Sequence, residues 1–225
     1  MSRLGAPLHL GTYVEAGVPP QSNPGVRWNN HHKELKARDV NQADPNLPAR
    51  EDVGADFAIL LVMDKGEPGA PIYGVAYTQH TDCAGVTNCD IGSAGYRDFA
   101  YAVVSIHPDA QNLTFAHEIG HMLGNQHDPP PPPVPTAAFA YSYGHRTASE
   151  RDIMADPPCI DAVCPLRLPQ FSNPSVFFAG TTTPSGVAGA RDVAKTIYAT
   201  IGGSTNIYPI AGEDPIHVFW DGFEH

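Results

Sequence analysis

The sequence predicts an α+β fold in which short strands come first and helices follow. Three largely apolar runs, Asp56 to Asp64, Ile72 to Thr78 and Phe99 to Ile106, are too short for typical helices and predict strands. A helix is predicted from Asn112, a good N-cap, to Gly124. A last helix fits Ala188 to Ile201, because its apolar residues recur at every fourth position and form one stripe.

The rest of the chain gives weaker structural signals. Leu8 to Val14 fits a strand, and Asn30 to Asn41 fits a short polar helix. The run Pro129 to Pro133 excludes a helix and predicts a stiff spacer. Residues 137 to 145 fit a strand or hairpin, and residues 165 to 187 are predicted to be irregular.

Composition excludes several classes of function. The chain has 225 residues and a formal net charge of -11, and this acidic balance argues against nucleic-acid binding, which requires clustered Lys and Arg. The longest unbroken apolar run, Phe57 to Met63, is far shorter than the ~20 residues of a membrane helix. With 23 Pro and 21 Gly, the chain is rich in loops but has enough apolar residues for a core.

The four cysteines fall into two close pairs, Cys83 with Cys89 and Cys159 with Cys164. Neither spacing is the C-x-x-C of a zinc knuckle or redox site. The pattern predicts two small disulfide loops and an oxidising compartment, although three connectivities remain possible.

One stretch carries the pattern of a metal site. Residues four apart on a helix lie within about 40° of each other, so the imidazoles of His117 and His121 can reach one ion. Glu118 lies at the edge of the same site without being a ligand. Gly124 ends the helix, since it adopts the left-handed conformation at low cost. The chain then turns back, and His127 is predicted to become the third ligand.

Three neutral imidazoles indicate catalytic Zn²⁺, because they leave the fourth tetrahedral position open for water. The pKa of zinc-bound water is about 7, and Glu118 can accept its remaining proton during attack on a carbonyl. Glu118 then passes this proton to the leaving amine. The motif therefore predicts peptide-bond hydrolysis without a nucleophilic side chain.

This stretch resembles the long zinc motif of the metzincin zinc metalloendopeptidases, HExxHxxGxxH, at every fixed position from His117 to His127. An Asp directly after the third histidine, here Asp128, resembles the pattern of the reprolysin branch. Arg151 to Asp156 resembles the methionine turn of the family, which implies that Met154 packs beneath the metal without binding it. The resemblance implies a zincin-like fold: a twisted mixed β-sheet, an active-site helix and a small irregular C-terminal subdomain that ends in a helix.

Other segments look like the bacterial reprolysin-like branch, which includes peptidyl-Asp metallopeptidases. They are Tyr141 to Gly144, Cys159 with Cys164, and Phe171 to Pro174. The resemblance implies that a protein or peptide substrate lies along Ile72 to Thr78, the edge strand, by β-augmentation. It also gives a hint of cleavage before Asp, for which Arg151 and Arg167 are candidate partners.

The chain departs from the family pattern at two places. Asp156 stands where relatives often have Tyr, so a phenol role in transition-state stabilisation is unsupported. Relatives usually begin with a strand and a long helix that have no counterpart before Leu8. We therefore expect an N-terminally shortened form of a secreted enzyme, a localisation that the paired cysteines also favour.

The predicted organisation has three parts: an N-terminal zincin subdomain (1–128), a C-terminal subdomain with the methionine turn and final helix (129–205), and a tail (206–225). A monomer is expected. Ca²⁺ is unsupported, because no Asp-x-Asp-x-Asp-Gly loop is present. The alternative function is a catalytically silent metzincin-like module that holds zinc and binds peptides; the intact Glu118 favours the enzyme.

Overall fold

A computed structural model of the protein describes residues 56–62, 73–79, 99–107, 113–128, 137–156 and 164–204, with side chains up to residue 201. The elements are β1 (Ala58–Val62), β2 (Gly74–Ala76), β3 (Tyr101–Ser105), α1 (Thr114–Met122), β4 (Glu150–Arg151), β5 (Leu166–Arg167) and α2 (Val193–Ser204). The predictions for Leu8 to Val14, Asn30 to Asn41, Pro129 to Pro133, Cys83, Cys89, Cys159 and the tail lie outside the described residues. This order of elements confirms the α+β class.

The first three strands form one mixed sheet in the order β1-β3-β2. The central strand β3 is buried throughout and pairs parallel to β1 and antiparallel to β2. Val62 and Val103 form a core with the partly buried Leu60 and Val75. All three strands fall inside the predicted runs, but β2 covers only three residues of the run from Ile72 to Thr78.

Helix α1 begins later than predicted and ends where predicted. The expected N-cap at Asn112 is wrong, because Leu113 is the N-cap, with φ 74° and no side-chain cap. At the other end, Gly124 has φ 88°, and the backbone N–H groups of Gly124 and Asn125 donate to the carbonyls of His121 and Gly120. This hydrogen-bond pair is a Schellman motif, which ends the helix and turns the chain back.

Helix α2 begins at Val193, not at Ala188. Before it, residues 187–191 form a turn closed by hydrogen bonds between Val187 and Arg191. The predicted apolar stripe is only partly buried, since Val193 is fully buried whereas Ile201 is 38 % exposed. Instead, two threonines, Thr196 and Thr200, complete the buried face.

Most of the C-terminal part is irregular. Residues 137 to 145 form a turn and not the predicted strand or hairpin; Tyr143 makes only an isolated bridge to Gln126. The predicted irregular segment 165 to 187 contains one short strand, β5, which pairs parallel to β4. Cys164 is disulfide-bonded, and the other cysteines lie outside the described residues. None of the described helices is long and apolar enough to cross a membrane.

Candidate metal centre

Three histidine side chains meet at one point beside the sheet. Helix α1 carries His117 and His121, and the turn after Gly124 brings His127 back to them. The Nε2 atom of His127 lies 3.0 Å from the Nε2 atoms of both other histidines. These atoms are close enough to share one metal ion.

Each imidazole is oriented by a partner at its other ring nitrogen. The Nδ1 atoms of His117 and His121 donate to the carbonyls of Ile153 and Asn125, both at 2.8 Å. These hydrogen bonds place the protons on Nδ1 and leave the Nε2 lone pairs for a metal. The donor set of the described residues therefore fits a metal that prefers imidazole nitrogen.

Burial keeps the two helical ligands neutral. Burial is the main reason that the pKa of His117 lies well below its ordinary value, and electrostatic repulsion from His121 and His127 lowers this pKa further. Burial is also the main cause that lowers the pKa of His121 to about 3, and repulsion from His127 is the second cause. A metal binds the neutral imidazole, so these rings need lose no proton on binding at neutral pH.

Glu118 lies between helix α1 and strand β2. Its side chain is buried, and burial raises its pKa to about 8, although the positive charge of Arg167 opposes this shift. A Cβ atom on Gly74 would overlap the Glu118 carboxylate. Because glycine has no side chain, strand β2 can run directly against the carboxylate.

A cleft with a volume of about 480 Å³ lies over the three histidines. One wall is residues 73–76 of strand β2 and its preceding residue, and β2 lies at an edge of the described sheet. Asp156, Arg167, Glu118 and the three histidines are also among the lining residues. The edge strand, the Glu118 carboxyl group and the three histidines therefore share one cleft.

Met154 packs against helix α1. Its side chain is fully buried in a cluster with Ile153 and Val193, against which Leu113 and Ala116 also pack. A Cβ atom at Gly120, between the two helical ligands, would overlap the Met154 sulfur, so the Met154 side chain would have to shift. Met154 therefore supports the helix through an apolar contact.

The two candidate partners for an acidic substrate side chain lie in different places. Arg151 is buried and donates to the carbonyls of Pro165 and Ala155, so its guanidinium serves the protein interior. Arg167 lines the cleft, close enough to Glu118 to affect its pKa. Of these two arginines, only Arg167 lines the cleft.

Sequence reasoning missed the groups that complete the end of helix α1. The Gln79 amide donates to the Met122 carbonyl at 2.6 Å, and the Thr200 hydroxyl donates to the Leu123 carbonyl at 2.9 Å. Both side chains are fully buried. A polar residue beside an apolar run indicates a buried hydrogen bond, but the sequence does not reveal that the partner is 43 or 77 residues away.

A family model described as metallo-peptidase family M12B, reprolysin-like, matches residues 25–183, which is well over half of the chain. The chain belongs to this family. The histidine cluster of this reprolysin-like metzincin, His117, His121 and His127, lies within the matched range. Family membership thus agrees with the resemblance that the zinc motif carries.

Comparison with solved structures adds a likeness in fold alone. A structure titled "Structure of a chaperone-substrate complex" matches 85% of this chain with a TM-score of 0.52 and 14% sequence identity. The chain spans about a quarter of that chain, since the match covers 26% of it. The comparison with curated proteins gives no match.

Proposed function

We propose that this reprolysin-like chain is a zinc-dependent endopeptidase. The carrying observation is the convergence of three imidazole Nε2 atoms beside a buried carboxylate in a cleft walled by an edge strand. His117, His121 and His127 would hold the ion. A structural zinc site is normally closed by four ligands, whereas three histidines in an open cleft suit catalysis.

The proposed chemistry divides between the metal and one side chain. When bound, zinc would supply a Lewis acid that lowers the pKa of water to about 7 and polarises a carbonyl. Glu118 lines the cleft next to His117, and the positive charges of Arg167 and of a bound ion would oppose burial and favour its ionised form. The ionised carboxylate accepts the proton of the attacking water and then donates it to the leaving amine. Arg167 lines the same cleft and places a positive charge near this carboxylate.

The substrate is proposed to be an extended peptide along β2. Strand β2 pairs with β3 on one side, and the cleft lies against it. An edge strand offers main-chain N–H and C=O groups to a peptide in β-conformation. Preference for an acidic substrate side chain would depend on Arg167. Secretion, a monomeric state and the methionine turn at Met154 belong to this proposal as expectations.

Substitution of Glu118 tests the mechanism. Glu118→Ala should retain zinc, because the three ligands stay, but should lower the rate of peptide hydrolysis by about 10²–10⁴-fold. The measurement pairs cleavage of a diverse peptide library with zinc content per chain. Glu150→Ala, which removes a carboxylate of strand β4 outside the cleft lining, is the matched control and should cleave normally.

Two results would contradict the proposal. Equal activity of Glu118→Ala and the wild-type protein would exclude Glu118 as the base. Stoichiometric zinc binding by the wild-type protein without cleavage of any library member would favour the silent peptide-binding module. The library also identifies the subsite preference of an active enzyme.

A further inference from the structure

The third ligand, His127, is held differently from the other two. The Nδ1 atoms of His117 and His121 meet backbone carbonyls, but Nδ1 of His127 lies 2.7 Å from Oδ2 of Asp156. The His127 side chain is 37% exposed, whereas both helical ligands are buried. It also follows the end of α1, so helical geometry does not fix its ring.

We propose that Asp156 is a positioning residue of the metal site, which holds the His127 ring so that Nε2 points to the shared ion. Its carboxylate accepts a hydrogen bond from the Nδ1–H group, which leaves the Nε2 lone pair for the metal. An ionised carboxylate is a stronger acceptor than a neutral carbonyl and makes the imidazole a better donor to the metal. This inference rests on the metal binding in the proposed function, not on its peptidase activity.

A closed set of contacts holds Asp156 in place. Asp128, the residue after the third ligand, accepts the backbone N–H of Asp156 at Oδ1, 3.0 Å away. Its other carboxylate oxygen is 3.0 Å from Nε of Arg146, and the same guanidinium donates to the Asp156 carbonyl at 3.1 Å. Three segments of chain therefore meet behind His127, and each contact limits movement of the Asp156 backbone.

This arrangement explains why an aspartate is useful at position 156, where the family resemblance suggests a tyrosine. A tyrosine at position 156 would carry a phenol in place of the carboxylate, and a neutral hydroxyl is a weaker acceptor. The carboxylate contacts His127 at 2.7 Å, and both residues line the cleft. Asp156 thus acts on a ligand and not on the reacting atoms.

Zinc affinity measured by chelator competition tests the assignment. Asp156→Ala should weaken zinc binding about 10–100-fold, the range typical of lost partners of metal-bound histidines. Asp156→Asn keeps an acceptor oxygen without the charge and should lose less. Asp192→Asn is the matched control: its carboxylate accepts from Lys195 N–H at the start of α2, away from the histidines, and zinc affinity should be unchanged.

The absorption spectrum of the Co²⁺-substituted protein gives a second readout that a general loss of stability would not move. Asp156→Ala should change the visible bands of bound Co²⁺, since the third ligand is reoriented, while Asp192→Asn should retain the wild-type bands. Wild-type zinc affinity and an unchanged Co²⁺ spectrum in Asp156→Ala would overturn the assignment. Zinc binding without peptide cleavage in the wild-type protein would instead overturn the proposed activity and leave this assignment standing.

Discussion

The sheet with helix α1 and the irregular segment 137–187 build the site by different means. In the first region, β3 is buried between two strands, and α1 presents His117 and His121 at the spacing of one helical turn. The second region has only two-residue strands, yet it supplies the partners of two ligands, the Ile153 carbonyl and Asp156. Helix α1 thus places two of the three histidines, and the irregular segment orients the rings of His117 and His127.

Buried polar side chains take the place of a strand ladder in the second region. The Asp152 carboxylate accepts the backbone N–H groups of His145, Ala155 and Ser172. The Ser172 hydroxyl in turn donates to the Tyr143 carbonyl. Since Asp152 and Ser172 are fully buried, these bonds hold three stretches of loop without competition from water.

Met154→Ala tests how far the regular half depends on the irregular one, and it has the largest expected effect on stability. Removing a fully buried methionine leaves a cavity beneath α1, which should lower the free energy of unfolding by about 2–5 kcal/mol. Met154→Leu preserves most of the volume and should cost less than about 1.5 kcal/mol. Urea denaturation of the three proteins measures both values.

A double-mutant cycle with Gly120 sharpens this prediction. Gly120→Ala should destabilise the wild-type protein, because its Cβ would overlap the Met154 sulfur. In the Met154→Ala background the overlap is gone, and the same change should stabilise the protein by up to about 1 kcal/mol through helix propensity. Additive effects in the cycle would show that α1 and Met154 are energetically independent.

The regular half could be predicted from sequence because its signals are local. Apolar runs mark β1 and β3, and Gly124 marks the end of α1 through a conformation that glycine adopts without strain. The spacing of His117 and His121 follows from helical geometry alone. Local patterns of residues are therefore sufficient to predict the α+β class and the histidine cluster.

The irregular half could not be predicted, because its partners are distant in sequence and chosen by burial. Asp156 reaches His127 from 29 positions further along the chain, and nothing in the local sequence indicates the pairing. The apolar stripe of α2 predicted a buried Ile201, yet Thr200 is the buried residue, since its hydroxyl satisfies a carbonyl of α1. Helix propensity and apolar periodicity are properties of one segment, whereas the partner of His127 and the buried face of α2 depend on the segments that pack against them.

Asp152→Asn tests whether burial or hydrogen bonding determines the pKa of the Asp152 carboxyl group, which holds the loops of the irregular segment together. Burial raises the pKa of Asp152 to about 6 from 3.8, because desolvation outweighs the hydrogen bonds from Ser172, Ala155 and His145. The folded chain then holds this proton more tightly than the unfolded chain. The protonated Asp152 carboxyl group therefore contributes to the free energy of unfolding, and this contribution is fully present below about pH 4 and is lost as the pH rises through about 6.

Asparagine does not titrate, so the variant should lack this pH dependence. From pH 4 to 7 the wild-type protein should lose up to roughly 3 kcal/mol of unfolding free energy relative to Asp152→Asn. Urea denaturation at pH 4, 5, 6 and 7 measures the difference. A constant difference would show that the three N–H donors cancel the effect of burial, and a change of the opposite sign would show that they outweigh it.

Thr200→Val has the smallest expected effect on stability, and it tests the hydrogen bond from α2 to the end of α1. Valine fills the same volume but leaves the Leu123 carbonyl without the hydroxyl at 2.9 Å, which should cost about 1 kcal/mol of unfolding free energy. Thr182→Val, at an exposed position, is the control and should change stability by less than about 0.5 kcal/mol. Because Leu123 directly precedes the glycine that turns the chain toward His127, zinc affinity should fall slightly in Thr200→Val alone. Equal stability of the two variants would mean that water or a neighbouring donor replaces the hydroxyl, and that α2 contributes packing but no polar restraint to the metal helix.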